Sequence, residues 1–250
     1  MPEMLEAGLA TPGLFWLCGI SALAGLIYGF AGFGAALIFM PLATIFIAPS
    51  LAVGAFSLSA LSSVFTVVPG ALRAADLKAA GTMLAAAVLA TFPGVWVLNH
   101  SSGAVLQWAV SGVVIATLIA LIAGLRYTRA PGPRTWLSVG TGVGFLGGAT
   151  GLNGPVMVLF QLGGQDEAAR SRANTIIVLT FSSLAFLPVM ALQGAVPPSA
   201  VSLGLFLLIP YAIGTTVGRM LFTPARAGLY RVTAYVIIAA AAILGLPIEF

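Results

Sequence analysis

A run of glycines ending in Asn-Gly-Pro interrupts one of the most apolar regions of the chain. From Gly140 to Gln161 the sequence reads G-T-G-V-G-F-L-G-G-A-T-G-L-N-G-P-V-M-V-L-F-Q. Glycine gives up the most backbone entropy in a helix, and Pro155 has no N–H to donate. The helix is therefore expected to break near Thr150–Gly154 and to restart with Pro155 in its first turn. At membrane depth such a break leaves N–H and C=O groups that hydrocarbon cannot satisfy. It persists only where protein buries it or where it lines a wet cavity. The plainer reading of the glycines is close packing of helices through small residues. Their density around Asn153-Gly154-Pro155 favours a binding site, with close packing as the competing reading.

The surroundings of this stretch define the class. The 250 residues are 60% hydrophobic and only 6% charged, too apolar for a soluble domain and fitting an all-α polytopic membrane protein. Cys18 is the only cysteine and His100 the only histidine. That leaves no internal disulfide, catalytic triad or HExxH site, and neither a cofactor nor a metal is expected. A membrane enzyme is the weakest class, for want of a nucleophile–base pair. The net charge of +4 is spread over loops. It reads as topology and points away from nucleic acid. The start carries Glu3 and Glu6 and no base, so no cleaved signal is expected there.

The apolar segments divide into two halves. Residues 1–128 hold a broken segment (13–48) and spans 51–69, 79–98 and 105–125. Residues 129–250 hold a second broken segment (136–162) and spans 173–192, 200–222 and 229–246. The first broken segment, as one helix, would run about 54 Å, well beyond a bilayer core of about 30 Å. Gly25–Gly34 interrupts it, and Pro41 follows. Gly25, Gly29 and Gly32 recur as Gly147, Gly151 and Gly154 at a shift of 122. Leu61–Pro69 resembles Phe181–Val189, and Gly94 matches Gly214, both at a shift of 120. Three matches in order point to an internal duplication.

Basic residues orient the halves. Arg73 and Lys78, then Arg126, Arg129 and Arg134, then Arg170 and Arg172, and finally Arg219, Arg226 and Arg231 mark four loops. Ala48–Ser50, Asn99–Gly103 and Gly194–Ser199 carry no basic residue. The positive-inside bias puts the basic loops in the cytoplasm and both termini outside. Only residues 136–162 separate two basic loops, so that segment is expected to be a re-entrant hairpin of two half-helices, each about 13 residues and about 20 Å long. By the repeat, the first segment is a hairpin from the outside. Each half is then one hairpin plus three crossings, and the halves are inverted, an architecture transporters use. The alternative has eight full crossings and parallel halves.

Gly29–Pro41 (G-F-A-G-F-G-A-A-L-I-F-M-P) and Gly148–Val156 (G-A-T-G-L-N-G-P-V) together resemble the sulfite exporter TauE/SafE family. Length, duplication and basic centre fit that family across nearly the whole chain. The resemblance implies a multi-pass transporter of the cell (inner) membrane that exports sulfite, sulfonates or related organosulfur anions, with other small carboxylic anions also plausible.

A small anion needs donors in place of its hydration shell, and helix N-termini provide free N–H groups and a positive dipole end. The second arms are expected to begin at Gly32, Phe33, Gly34 and Ala35, and at Thr150, Gly151, Asn153, Gly154 and Pro155. Asn153 adds an amide, and the paired Ser62, Ser63, Ser182 and Ser183 add hydroxyls. Serines in membrane helices also bond neighbouring helices or their own backbone, which is the competing reading for each. Tyr28 and Tyr211 are hydroxyl donors or interface anchors, and Trp96, Trp108 and Trp136 are packing or belt residues. No acid, base or histidine is placed at mid-membrane, since Asp76 and His100 sit at loops. Either the substrate carries a proton, as hydrogen sulfite can, or the protein is a passive facilitator. The expected partners are a small anionic substrate and the lipid bilayer, with a homodimer compatible. A channel-like facilitator, or a transporter of another small solute, is the alternative function.

Overall fold

The computed structural model describes residues 8, 10–124, 131–163, 168–194, 196–221 and 227–245, and every described element is helical. Helices α1 (Leu14–Ala31), α2 (Ala35–Ala43), α3 (Pro49–Ser59), α4 (Ser62–Thr66), α5 (Val68–Ala71), α6 (Leu77–His100) and α7 (Gly103–Ile122) make the first half. The second contains α8 (Pro133–Thr150), α9 (Gly154–Gly163), α10 (Ala168–Leu192), α11 (Pro198–Leu221) and α12 (Ala227–Leu244). Among the described residues six helical stretches are long and apolar enough to cross a membrane, one of them Pro49–Thr66 running through α3 and α4. The outer surface is apolar, with Phe15, Leu89, Ile119 and Ile209 mostly exposed, while Ser57, Thr91, Asn153, Ser182 and Thr215 are buried. Apolar outside and hydroxyl-rich inside is the distribution that lipid demands.

Both breaks fall where the glycines place them. Helix α1 ends at Gly32, in left-handed geometry (φ 81°), whose N–H donates to Tyr28 O at 2.8 Å; Gly34 is again left-handed (φ 91°), and α2 starts at Ala35. Helix α8 ends at Gly151 (φ 76°), whose N–H donates to Gly147 O at 2.8 Å. Helix α9 then restarts at Gly154 with Pro155 in its first turn. The two left-handed caps are 119 residues apart, a separation that differs from the shift of 122 read from the glycine pattern. The second half spells that pattern twice, three residues apart, and Gly144, Gly148 and Gly151 are the set that lies at the separation of the caps from Gly25, Gly29 and Gly32. Only the cap geometry distinguishes the two.

Three further expectations are corrected. The arms of each broken segment are unequal, with 18 and 9 residues in the first and 18 and 10 in the second. The long arms therefore run about 27 Å and the short ones about 15 Å or less, in place of two arms near 20 Å. Span 51–69 is not one helix but α3, α4 and α5. Hydroxyls compete for its backbone: Ser59 donates to Phe56 O, Ser62 to Ser59 O and Thr66 to Ser62 O. Pro69 removes a further donor. Arg170 and Arg172, expected in a loop, belong to the first turns of α10.

The two broad helix contacts exchange halves, since α1 lies along α11 and α8 along α6. Glycines let the backbones touch. A Cβ on Gly144 would overlap the Ala87 carbonyl, and one on Gly214 the Ala22 carbonyl; Gly29 and Gly148 face Thr215 and Thr91 in the same way. Close packing is thus the right account of these glycines, and helix breaking that of Gly32, Gly34 and Gly151.

Helices α6 and α10 supply a frame. Asp76 N donates to Asn174 Oδ1 (2.8 Å) at one end, and Asn99 Nδ2 to Gln193 Oε1 (3.2 Å) at the other. Gly13, before α1, lies against Phe46, beyond α2. Thr44 O there accepts from Gln107 Nε2 at 3.0 Å, near the Asn99 end. In the second segment Trp136 of α8 and Gln161 of α9 line one cavity with Asp76 and Arg170.

The glycine contacts give a direct stability test. Gly144→Val should lower the thermal midpoint severely or prevent folding, because the obstacle is backbone. Gly112→Ala meets nothing within 4 Å. It should be neutral or stabilising by about 0.5–1 kcal/mol, the helix preference of Ala over Gly. Thermal unfolding of both variants in detergent checks the contrast.

Candidate functional site

The N-termini of α2 and α9 meet at a cavity of about 20 Å3 for water centres. Space for one water needs about 10–15 Å3 on that measure, so the cavity holds little more. Gly34, Ala35, Ala36 and Leu37 line it from α2, and Asn153 and Gly154 from α9. The first-turn N–H groups of a helix have no intrahelical acceptor and carry the positive dipole end. Both helices therefore present donors to one spot.

Side chains complete the wall. Tyr28 of α1, Ser63 of α4, Thr180 and Ser183 of α10 and Tyr211 of α11 bring hydroxyls, with Phe56 and Leu179 as apolar sides. Thr180 lies midway along α10. Asn153 is 3% exposed. Its Nδ2 donates to Leu179 O (3.0 Å), Ser182 Oγ (2.9 Å) and Ser183 Oγ (2.8 Å). A carbonyl can only accept, so Leu179 O sets the amide orientation. Tyr28 Oη donates to Ile176 O at 3.1 Å and pairs with Thr180 Oγ1 at 2.8 Å. The Tyr28 and Tyr211 rings stand 6.4 Å apart, and Phe56 meets Tyr211 edge-on at 5.9 Å.

Ser63 is the exception in this network. It is fully buried, lines the cavity, and its Oγ has no hydrogen-bond partner. The Tyr211 hydroxyl is a hydrogen-bonding neighbour of Ser63 by proximity, but the geometry between the two falls short of a hydrogen bond and leaves Ser63 Oγ unmatched. Leaving a buried hydroxyl unmatched costs about 1–3 kcal/mol. An oxygen-bearing ligand in the cavity would recover that loss.

The residues singled out from sequence separate into groups. Gly34, Ala35, Ser63, Asn153, Gly154 and Ser183 line the cavity. Ser182 stands behind it, accepting from Asn153 and donating to Leu179 O. Thr150 holds the break by bonding Leu146 O and accepting from Leu152 N. Gly151 packs against the Met40 side chain of α2. Gly32, Phe33 and Pro155 shape the breaks outside the cavity wall. Ser62 is spent on Ser59 O. Around Gly154 the space is open, with nothing within 4 Å of a Cβ, so backbone crowding is not what requires glycine there.

Sequence reasoning undervalued three residues. Tyr28 and Tyr211, read equally as interface anchors, are 3% and 1% exposed. Arg172 reaches from α10 to the end of α1, where Nε donates to Phe30 O at 3.2 Å and a terminal nitrogen donates to Gly29 O. A cation at a helix C-terminus is favourable. The available signal for Tyr28 was its place between Gly25 and Gly29, which forces close contact with α11. Arg172 carried no such signal. Among the described residues no group of His, Cys, Asp or Glu is placed to hold a metal ion.

If Ser63 is kept for a ligand, its removal should separate stability from function. Ser63→Ala should raise unfolding stability by up to about 1–3 kcal/mol, since an unmatched hydroxyl is removed, while transport declines. Asn153→Leu should do the opposite to stability, losing about 1–3 kcal/mol through its broken side-chain bonds. Thermal unfolding and flux, measured together on both variants, check the pattern.

Comparison with known proteins agrees with these features. Curated proteins and solved structures yield no match. The family described as "Sulfite exporter TauE/SafE" matches residues 17–244, which takes in both breaks, every cavity-lining residue and all six candidate membrane spans except the first turn of α1. The chain is thus a multi-pass membrane protein of a transporter family: it belongs to the sulfite exporter TauE/SafE family.

Proposed function

We propose that the chain is a secondary transporter exporting a small sulfur-containing anion through the cavity between α2 and α9. Sulfite, a sulfonate, or a related organosulfur or carboxylate anion suits it. The observation that carries this reading is Ser63 Oγ, buried without a partner where two helix N-termini converge. Both features ask for the same ligand, an oxygen-rich group with negative charge. The family's description points the same way.

The mechanism we propose is alternating access between two inverted repeats, residues 1–128 and 129–250. Its support is the pair of return contacts. Gly13 meets Phe46 toward the Asn99–Gln193 end, while Trp136 and Gln161 share a cavity toward the Asp76–Asn174 end. Two hairpins entering from opposite ends is the pattern of inverted repeats with a central site. The basic residues cluster toward the Asp76 end, which we assign to the cytoplasm, with both termini outside. A cavity of about 20 Å3 for water centres requires its walls to move before even a sulfite-sized anion passes. That requirement favours a carrier over an open channel.

Two measurements test this. In proteoliposomes a sulfonate should move faster than its uncharged sulfonamide, because the donors and dipoles act on charge; equal rates remove the anion site. For topology, in a Cys18→Ser background, a cysteine at Gly132 should label only from the cytoplasmic side and one at Pro197 only from outside. Labelling of both from one side defeats the inverted arrangement.

A further inference from the structure

All the polar groups lining the central cavity are neutral. They are the hydroxyls of Ser63, Thr180, Ser183, Tyr28 and Tyr211, the Asn153 amide and backbone N–H groups, and among the described residues no Lys, Arg, His, Asp or Glu lines it. The surrounding elements hold few charges, and these are engaged elsewhere. Helices α2, α3, α4 and α9 have none. On α10, Arg172 donates to the Gly29 and Phe30 carbonyls, within electrostatic reach of Tyr28, and Arg170 lines the separate cavity near Asp76. On α11, Arg219 donates to Thr66 O. Helix α1 adds only Cys18, which is half-buried. At the ends of α6, Asp76 caps the helix through Lys78 N and Ala79 N, and His100 binds Trp96 O.

That lining discriminates by charge. The Born cost of taking an ion out of water grows as the square of its charge, so a dianion costs about four times a monoanion of equal size. Attraction to fixed dipoles grows only in proportion to charge. Each helix N-terminus is equivalent to about half a positive charge, so the two at this cavity together match about one negative charge. Arg172, which bonds the end of α1, adds at most one more unit from outside the wall.

Resting on the transport reading above, we propose that the cavity accepts oxyanions in the singly charged state, and that for sulfite the proton crosses on the substrate. Hydrogen sulfite and sulfonates are then cargo, and the sulfite dianion and sulfate are excluded. Ser63 Oγ is the neutral group that meets an anion oxygen. No side chain in the cavity has to change protonation during the cycle.

The test is flux into proteoliposomes of the full chain, with equal pH on both sides and protein-free vesicles subtracted. Methanesulfonate, sulfite and sulfate are compared from about pH 6 to about pH 8, where histidine-like groups titrate. Methanesulfonate stays singly charged throughout, so its flux should be flat. Sulfite flux should fall about tenfold per pH unit once its second proton is lost, and sulfate should stay at the protein-free level. Sulfite flux that holds or rises with pH, or sulfate flux equal to that of methanesulfonate, overturns the proposal and leaves anion transport standing. Methanesulfonate flux falling in parallel with sulfite places the titrating group on the protein and also overturns it. No flux of methanesulfonate or sulfite at any pH removes the transport reading, and this inference with it.

Discussion

Backbone that leaves a helix inside an apolar belt must be received by protein, and here one helix receives both breaks. Along α10, Arg172 bonds the last carbonyls of α1, Ile176 and Thr180 hold Tyr28, and Leu179, Ser182 and Ser183 hold Asn153. Each unmatched polar group in hydrocarbon costs several kcal/mol. The interior is therefore built from hydroxyls and amides even though the chain is mostly apolar. The unmatched Ser63 stands out against that background, in the wall of the cavity between the two tips.

Glycine serves two separate purposes in this fold, and they occur side by side. Gly25, Gly29, Gly144 and Gly148 sit inside helices, where they bring backbones of different halves into contact. Gly32, Gly34 and Gly151 adopt left-handed geometry and end or begin helices. The first group holds α1 to α11 and α8 to α6, so each broken segment is seated on the other half. The second group aims α2 and α9 at a common point. Either set alone would leave the cavity without walls or without donors.

The halves are not equal partners. Helix α10, after the second break, is continuous through Pro188, whereas the stretch after the first break is split into α3, α4 and α5. That split places Ser63 near the start of a short helix, while Ser182 and Ser183 project from an unbroken one. Similarly, a cation holds the first break, and the position 119 residues before Arg172 is Val53. Each half therefore brings one tip, and the differences between the halves set the groups around the cavity.

Local chemistry made the membrane class and both breaks legible in the sequence. Hydropathy set the class, and glycine entropy with the missing N–H of Pro155 set the breaks to within a residue or two. Helix polarity then placed N-termini at Ala35 and Gly154, and Asn153 was recognisable as the amide at a tip. The motif around these breaks was also enough to identify the family. Tertiary structure decided what depends on partners distant in the chain. Gly147 and Gly144 carry the same local signal, and only the left-handed cap at Gly151 chose between them. Tyr28 and Tyr211 look like interface residues until α1 lies along α11 and buries them. Arg172 reads as a loop charge until α10 brings it to the end of α1. Breaks are made by the residues that form them, whereas burial and pairing are made by whatever the rest of the chain brings alongside.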